Sequence, residues 1–458
     1  MFRKYLYPVF ALFMAGLMLF TACTPKTGGN LPVKITIFVG FGAGSDPDSM
    51  EALNAIAGEY NTSHKDIQIE FMFSTWEEHT SKFSTLLAGD LAPDLAFPIG
   101  IQGIAEFYDE WIDVGSYVQS DNYDTSDFYG PSLQLLNFND KTIGLPLGVY
   151  PSVTFFNEDL FDAANVPYPT QQYGDTNWTL QKMVEMAQQL TLDENGNNAA
   201  SSNFDPTKIV QWGWGGWCGP FRTVPGKFGG NPLGMSDDFK TANMNSDGYL
   251  EGMQFLYDSI YTWNVRPSSV DEGSTFTGMD FTFESGKVAM FDCFSWSSYA
   301  FPSFTTAGNW NVAAVPAGPH GDVVSSVNAD TFAIPAHSQH PDQAWEVAKW
   351  LMEPDMQKRL CSIFGCIPSR KSLASSWVDS MGAEYPNVDF QVFIDSIDYM
   401  DASPNNESWV PNYSKVWDAT ENAMSRILSG ESDNVQQVMD DLQGEVQGYL
   451  DEYWAAHP

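Results

Sequence analysis

Basic residues are scarce in this chain of 458 residues. Lysine and arginine together number 21, against 58 aspartate and glutamate residues, which gives a formal net charge of −37. Nucleic-acid binding depends on clustered basic side chains that contact phosphates, so this composition argues against a nucleic-acid partner. The acidic excess also argues against charge-driven binding to anionic lipid, and it favours a soluble monomer.

Histidine and the common catalytic motifs are also lacking. The six histidines are scattered, and no cluster of histidine and cysteine has the spacing of a zinc site. Alternate glycines from Gly40 to Gly44 follow a predicted strand, but the dinucleotide fingerprint needs a glycine where Ser45 stands. We therefore predict no metal, cofactor or catalytic residue. Because carboxylates are abundant, a glycosidase-like pair stays open as an alternative.

Long apolar runs are confined to the N-terminus. The run Tyr5–Phe20 spans about 16 residues, which is shorter than the roughly 20 that a membrane-spanning helix needs. Two basic residues precede it and small residues follow it, which is the layout of a secretory signal peptide. Because Cys23 stands at the cut, the segment resembles a bacterial lipoprotein signal. We expect a signal peptide over 1–22, a lipid on Cys23, a tether over 23–30, and a protein on the extracytoplasmic face of the cell membrane.

Cysteine is sparse, with four residues besides Cys23: Cys218, Cys293, Cys361 and Cys366. An even number outside the cytoplasm permits two disulfides, in three alternative pairings. Cys361 and Cys366 are close enough in the chain to close a short loop. Reduced, buried thiols are the alternative, because a chain of this size needs no covalent staple.

The N-terminal part of the chain alternates between strand and helix patterns. Apolar, β-branched runs predict strands at 34–39, 67–73 and 95–97, with helices between them at 47–60 and 77–88. This rhythm is typical of a parallel α/β sheet. Further along, the sequence predicts a strand at 152–157, helices at 179–190, 247–262 and 341–352, two helices within 415–454, and loops over the Gly- and Trp-rich residues 211–234.

Several short segments of the chain carry motifs in a set order: Leu86–Leu95, Lys141–Pro146, Phe155–Phe161, Phe283–Met290 with Trp296, Val312–Pro319, Ala344–Leu351 and Gly365–Arg370. This order resembles that of family 1 extracellular solute-binding proteins of ABC importers, the maltose-binding-protein-like lipoproteins. Each motif is weak alone, but their shared order over residues 34–450 makes the resemblance strong.

The resemblance implies an α/β, two-lobe periplasmic-binding-protein-like fold of type II, with three interdomain crossovers and a central ligand cleft. We expect crossovers near 147–150, 324–330 and 366–370, with hinge positions at Gly148, Val327 and Ile367. Lobe one would comprise 31–147 plus 330–366, and lobe two would comprise 148–329 plus 367–458. Ligands of open sheets bind at the carboxyl ends of the strands.

The resemblance also implies a lipid-anchored substrate-binding protein that is not an enzyme. It would capture a saccharide, from a disaccharide to a short oligosaccharide, by lobe closure, and deliver it to the transmembrane subunits of an ABC permease. A non-sugar solute such as a polyamine, and a surface glycoside-degrading enzyme, are the alternatives.

Candidate ligand-binding residues follow from this frame. Trp296 matches the family's cleft tryptophan by position, with a core position as the alternative. Trp214 and Trp217 lie among glycines, where an indole has little core to join. The other candidates follow predicted strands or crossovers, or have weaker support: Phe41, Asp46, Trp76, Gln102, Tyr150, Asn328, Asp330 and Trp409. Carboxylates and amides hydrogen-bond sugar hydroxyls, and aromatic faces cover sugar C–H faces.

Overall fold

The computed structural model of the protein describes residues 31–138 and 141–457. The predicted signal peptide, the lipidated Cys23 and the tether lie outside the described residues. Among the helices of these two ranges, none combines the length and the apolar character that crossing a membrane requires.

Strands and helices alternate through most of the chain. The strands are β1 (Val33–Val39), β2 (Ile67–Phe73), β3 (Leu95–Ile99), β4 (Asn137–Phe138), β5 (Lys141–Thr142), β6 (Gly148–Asn157), β7 (Leu192–Asp193), β8 (Ile209–Gln211), β9 (Met290–Phe294), β10 (Trp310–Ala313), β11 (Ser325–Ala333), β12 (Ile367–Pro368) and β13 (Met400–Asp401). The helices of the first half are α1 (Pro47–Ser63), α2 (His79–Ala88), α3 (Ile101–Glu106), α4 (Gly115–Ser120), α5 (Gly130–Gln134), α6 (Glu158–Ala164), α7 (Leu180–Leu190) and α8 (Pro220–Lys227). Those of the second half are α9 (Asp247–Tyr261), α10 (Ser269–Thr275), α11 (Phe301–Ala307), α12 (Pro341–Leu351), α13 (Pro354–Phe364), α14 (Ala374–Glu384), α15 (Gln391–Asp395), α16 (Tyr413–Leu428) and α17 (Val435–Ala456).

The first three strands pair in parallel, as the sequence pattern predicts. β1 lies between β2 and β3, and its register with β2 runs from Val33 opposite Ile67 to Val39 opposite Phe73. β1 has several fully buried residues, which suits its β-branched composition. Helix α1 begins where Asp46 accepts a hydrogen bond from the Ser49 amide (2.9 Å) and Pro47 takes the first helical position.

Apart from a short parallel pair between β11 and β13, the rest of the main sheet is antiparallel, so the expected parallel α/β arrangement is confined to β1–β3. The start of β6 pairs with β11 and β12, and its remainder pairs with β9 and β10. The sheet order is β10-β6-β11-β3-β1-β2, with β9 and β12 also paired to β6. β6, β11 and β12 overlap the three segments predicted as crossovers, and both β11 and β12 pair with β6 near the centre of the sheet.

The largest buried cluster runs through this central region. It joins Ile35 of β1 and Phe97 of β3 to Val153 and Phe155 of β6 and on to Phe301 of α11. A second cluster packs α7, α9, α16 and α17 around Trp214 and Met253. β6 contributes to both clusters, with Phe155 in the first and Phe156 in the second.

Two disulfides are present, Cys218–Cys293 and Cys361–Cys366. The first ties the segment before α8 to β9, and the second ties the end of α13 to the residue before β12. The sequence had left the pairing of Cys218 and Cys293 open.

The prediction of loops throughout 211–234 is wrong for one stretch, because α8 occupies Pro220–Lys227. Gly219 adopts a left-handed conformation (φ +57°) immediately before Pro220 takes the first helical position. Glycine tolerates that backbone, and proline at the first turn needs no amide hydrogen bond, so both residues mark a helix start.

Candidate ligand-binding cleft

A cleft with a volume of about 1430 Å³ opens at the carboxyl ends of β1 and β3 and beside β6 and β11. Phe41–Ala43 follow β1 and Gly100–Gly103 follow β3, and both segments line it. Small-molecule sites typically have volumes of roughly 300–1,000 Å³. The cleft therefore has room for more than one sugar ring.

Asp330 provides a buried carboxylate on the cleft wall. Only 7% of Asp330 is exposed, and the Tyr150 hydroxyl donates to its Oδ2 (2.8 Å). Two glycines leave space around it, since a Cβ on Gly100 would lie 3.2 Å from Oδ1 and one on Gly42 would lie 3.7 Å from Oδ2. Burial raises the pKa of Asp330 to about 6, although the Tyr150 hydrogen bond opposes that rise.

The remaining acceptor capacity of Asp330 is free. Its Oδ1 makes no hydrogen bond, and no cation forms an ion pair with it, within residues 31–138 and 141–457. A buried carboxylate with a single donor is poorly compensated. A ligand that donates hydroxyl groups would supply the missing partners.

A second carboxylate in the cleft is already compensated. Arg222 Nη1 donates to Glu407 Oε2 in an ion pair, and Asn328 Nδ2 donates to the same oxygen (3.2 Å). The Arg222 guanidinium lies 4.0 Å from the centre of the Phe294 ring, in a cation–π contact. The sequence did not identify Arg222 or Glu407 as cleft residues. The sequence signal that was available is the Gly219-Pro220 pair, which indicates a helix start two residues before Arg222.

Trp296 presents a half-buried indole ring to the cleft. It follows β9 and stacks on Phe294, with centroids 6.1 Å apart and an interplanar angle of 13°. Phe281 also contacts it at 5.8 Å. These contacts fix the ring, and its accessible part can cover the apolar face of a ligand.

Four other predicted residues line the cleft, and they differ in how far the protein itself engages their side chains. Phe41 is buried among aromatic rings, including Phe38 at 5.3 Å, and Asp46 caps α1. Trp76 is 48% exposed and packs on His79 at 4.6 Å. Among the described residues the Gln102 amide has no hydrogen-bond partner, so it is available to a ligand.

The prediction that Trp214 and Trp217 are exposed is wrong, because both indoles are buried and neither lines the cleft. Trp214 has no exposed surface, and its Nε1 donates to Asp292 Oδ2 (2.7 Å). The neighbouring glycines permit close packing here rather than exposure. A Cβ on Gly213 would lie 2.0 Å from the Ala187 carbonyl oxygen of α7.

Trp409 also lies away from the cleft lining. Its half-buried ring packs on Tyr108, with centroids 4.8 Å apart, and on Phe239 at 5.5 Å. The prediction of a ligand-binding role for Trp409 therefore finds no support in its position.

Both disulfides fix chain segments that carry cleft residues. Cys293 on β9 stands three residues before Trp296, and its partner Cys218 stands four residues before Arg222. Cys361 itself lines the cleft. At Gly148 a Cβ would lie only 2.4 Å from Cys366 Sγ. Among the described residues, no group of three or more metal-ligating side chains is placed to hold a metal ion.

Comparisons with known proteins place this geometry in a family. The sequence profile described as bacterial extracellular solute-binding protein matches residues 43–358. An ABC substrate-binding protein from Listeria monocytogenes in complex with cycloalternan superposes with a TM-score of 0.71 at 20% identity, covering 92% of this chain and 99% of the other. A cyclic alpha-maltosyl-1,6-maltose binding protein from Arthrobacter globiformis gives 0.71 at 18% identity, covering 92% and 100%. The galactooligosaccharide-binding protein of Bacillus subtilis (strain 168) is 22% identical over 309 residues, which are 67% of this chain and 65% of the relative. The structural matches confirm the predicted two-lobe, periplasmic-binding-protein-like fold.

Proposed function

This chain belongs to the bacterial extracellular solute-binding proteins, and from that premise we propose that it captures a neutral saccharide and delivers it to an ABC permease. The ligand would range from a disaccharide to a short oligosaccharide. One observation carries the proposal: a fixed, half-buried indole at Trp296 shares a cleft with the Asp330 carboxylate, which has a single donor among the described residues. Sugar rings present both surfaces that this pair requires, apolar C–H faces and donor hydroxyls.

A cationic solute such as a polyamine is the second candidate. Asp330 lacks a cation partner among the described residues, and the chain carries a net charge of −37. A protonated amine would pair with Asp330 and gain charge-assisted hydrogen bonds. A half-buried indole also suits a cation, so binding experiments must include both ligand classes.

We extend the proposal to lobe closure about the crossover strands. Gly148 and Val327 remain the proposed hinge positions on the first two crossovers, because β6 and β11 pair there. On the third crossover we move the pivot from Ile367 to a point after Ser372. Arg370 donates to Tyr123 Oη and the Met352 carbonyl (both 3.0 Å), and Ser372 Oγ donates to Asp127 Oδ2 (2.7 Å), so this segment packs on lobe one.

We also propose that a lipid on Cys23 anchors the protein outside the cytoplasm, as the N-terminal sequence pattern suggests. Replacing Cys23 with serine would remove the acylation site while leaving the cleft unchanged. The expected result is release of the protein from membranes or retention of the uncleaved precursor. A fully processed Cys23→Ser protein that stays in the membrane fraction would contradict the anchor.

A thermal-unfolding screen tests the proposed function. The purified protein would be heated alone and with an excess of each of several neutral oligosaccharides, and with spermidine as the cationic comparison. A ligand present at 100 times its dissociation constant stabilises the folded state by about 2.7 kcal/mol. Two results together support the receptor: a saccharide raises the unfolding temperature, and mass spectrometry shows that the same saccharide is intact after prolonged incubation with the protein. Stabilisation by spermidine alone favours the polyamine, and steady conversion to shorter sugars favours the glycoside-degrading enzyme.

A further inference from the structure

The cleft continues into a groove between helices α13 and α14, which we name the side groove. One wall is a face of α14, where lining residues recur at intervals of three and four, and the other is α13, which contributes residues from Asp355 to its end. The side chains that define it are Asp355, Lys358, Ser362, Trp377, Ser380 and Glu384.

Aromatic rings mark the junction between the side groove and the cleft. Trp296 and Tyr299 lie in the short 3₁₀ helix after β9, and both line the same continuous cavity as the side groove. Tyr299 is 60% exposed although its ring is large and apolar. Ser298 Oγ donates to the Gly365 carbonyl (3.0 Å), so this junction is held against the end of α13. A ligand bound at Trp296 can therefore extend toward Tyr299 and Trp377.

Most polar side chains of the side groove are uncommitted, and Glu384 is the exception because it accepts a hydrogen bond from the Tyr385 hydroxyl. Within the described ranges Lys358 forms no ion pair, although Asp355 stands one helical turn before it and Glu384 lines the same groove. The hydroxyls of Ser362 and Ser380 likewise have no hydrogen-bond partner in the described part of the chain. The adjacent Arg359 provides the contrast, because it makes a bidentate pair with Glu59 (2.6 and 2.8 Å).

We propose that the side groove binds additional sugar units of the same oligosaccharide, so that the protein selects ligands longer than a disaccharide. This inference rests on the proposed saccharide function of the cleft. The cavity volume of about 1430 Å³ exceeds the roughly 300–1,000 Å³ of typical small-molecule sites. Ring faces at Tyr299 and Trp377, together with free hydroxyls and charges, suit a polyhydroxylated chain rather than an apolar one.

Calorimetric titration with a length series tests the side groove. The probes are malto-, manno- and galacto-oligosaccharides from disaccharides up to hexasaccharides. In the series that binds, affinity should rise by about tenfold or more beyond the disaccharide, which corresponds to about 1.4 kcal/mol. Ser380→Trp should fill the groove and remove this gain while leaving disaccharide affinity unchanged.

Ser375→Trp is the matched control, because Ser375 is an exposed serine of the same helix that does not line the cavity. It should keep the full gain with ligand length, and melting curves should show that both variants fold. Equal affinity for disaccharide and hexasaccharide would overturn the side groove while leaving the saccharide receptor intact. An equal loss of the length-dependent gain in Ser380→Trp and Ser375→Trp would also overturn the side groove. Failure of every saccharide to bind would overturn the proposed function and the side groove with it.

Discussion

Two buried aspartates, Asp292 and Asp330, lie on strands that both pair with β6, yet their surroundings differ. Asp292 on β9 accepts from Thr154 Oγ1 (2.6 Å) and from Trp214 Nε1 (2.7 Å), so both of its oxygens have a donor. Among the described residues, the Asp330 carboxylate on β11 accepts only from Tyr150 Oη (2.8 Å), and glycines leave open space beside it. Burial raises the pKa of both carboxyls, and that of Asp330 reaches about 6.

This difference separates a structural acid from a binding acid. Asp292 organises the core around Trp214, where the protein supplies every partner. Asp330 keeps an unfilled acceptor on a cleft wall, which costs folded-state stability until a ligand donates to it. The same residue type on two strands beside β6 thus acquires two roles from its neighbours.

The largest expected effect is the loss of stability in Trp214→Ala. Removing a fully buried tryptophan should lower the free energy of unfolding by about 3–5 kcal/mol, and Asp292 would lose a donor. Urea unfolding measures this change, and Trp263→Ala, a half-buried tryptophan outside the cleft lining, provides the control. The folded fraction should bind saccharide with unchanged affinity. If Trp214→Ala lowered saccharide affinity without lowering the free energy of unfolding, Trp214 would be assigned to ligand binding instead of packing.

Asp330→Asn should weaken saccharide binding. Hydrogen bonds to charged groups contribute about 1.5–3 kcal/mol, so the dissociation constant should rise roughly 10- to 150-fold by calorimetry. At pH 7 the free variant should be more stable than the wild type, by up to about 3 kcal/mol, because an aspartate that costs energy to ionise has been removed.

Asp292→Asn is the matched comparison for that variant. Its amide nitrogen would face one of the two donors, Thr154 Oγ1 or Trp214 Nε1, so stability should fall instead of rising. If both asparagine variants changed stability and affinity in the same direction, the distinction between the two aspartates would be lost.

Trp296→Ala should weaken saccharide binding by about 1–3 kcal/mol, by analogy with bases that stack on aromatic side chains. The fold should survive because the ring is half-buried at the cleft wall. Calorimetry on the folded variant measures the loss, with Trp263→Ala again as the control. Unchanged affinity would assign Trp296 to packing against Phe294.

The smallest effect is a pH dependence of binding. The folded-state pKa of Asp330, about 6, lies above the roughly 3.9 of an exposed aspartate, so the stability of the free protein should fall as pH rises from about 4 to 6. A saccharide that donates to the ionised carboxylate binds that form, so affinity should fall by about tenfold at one pH unit below 6. Titrations of wild type and Asp330→Asn at several pH values check this, because the variant should lose the dependence. A dependence that persisted in the variant would show that Asp330 is not its source.

Local patterns in the sequence predicted much of the fold. The β-branched runs gave β1 and β2 nearly to the residue, and the motif around Phe283 placed Trp296 at the cleft. Contacts between distant residues escaped prediction, because they depend on tertiary packing. Arg222 and Glu407 are 185 positions apart, and no local pattern links them.

The glycines beside Trp214 and Trp217 led to the wrong prediction that these two indoles are exposed. A tryptophan between glycines can be exposed on a loop, or it can be buried because the glycines let backbones approach closely. Gly213 against α7 shows that the second case holds here. The contact between the Arg370 guanidinium and the Phe128 ring also escaped prediction, because the two residues lie more than two hundred positions apart in the chain.

A crystal structure of the protein with the best saccharide from the screen tests the central claim most directly. We predict one sugar ring parallel to the Trp296 indole, with at least one hydroxyl within hydrogen-bond distance of Asp330 Oδ1. Asp292 should keep Thr154 and Trp214 as its partners. A saccharide bound elsewhere on the protein, or one in the cleft that contacts neither Trp296 nor Asp330, would contradict the account.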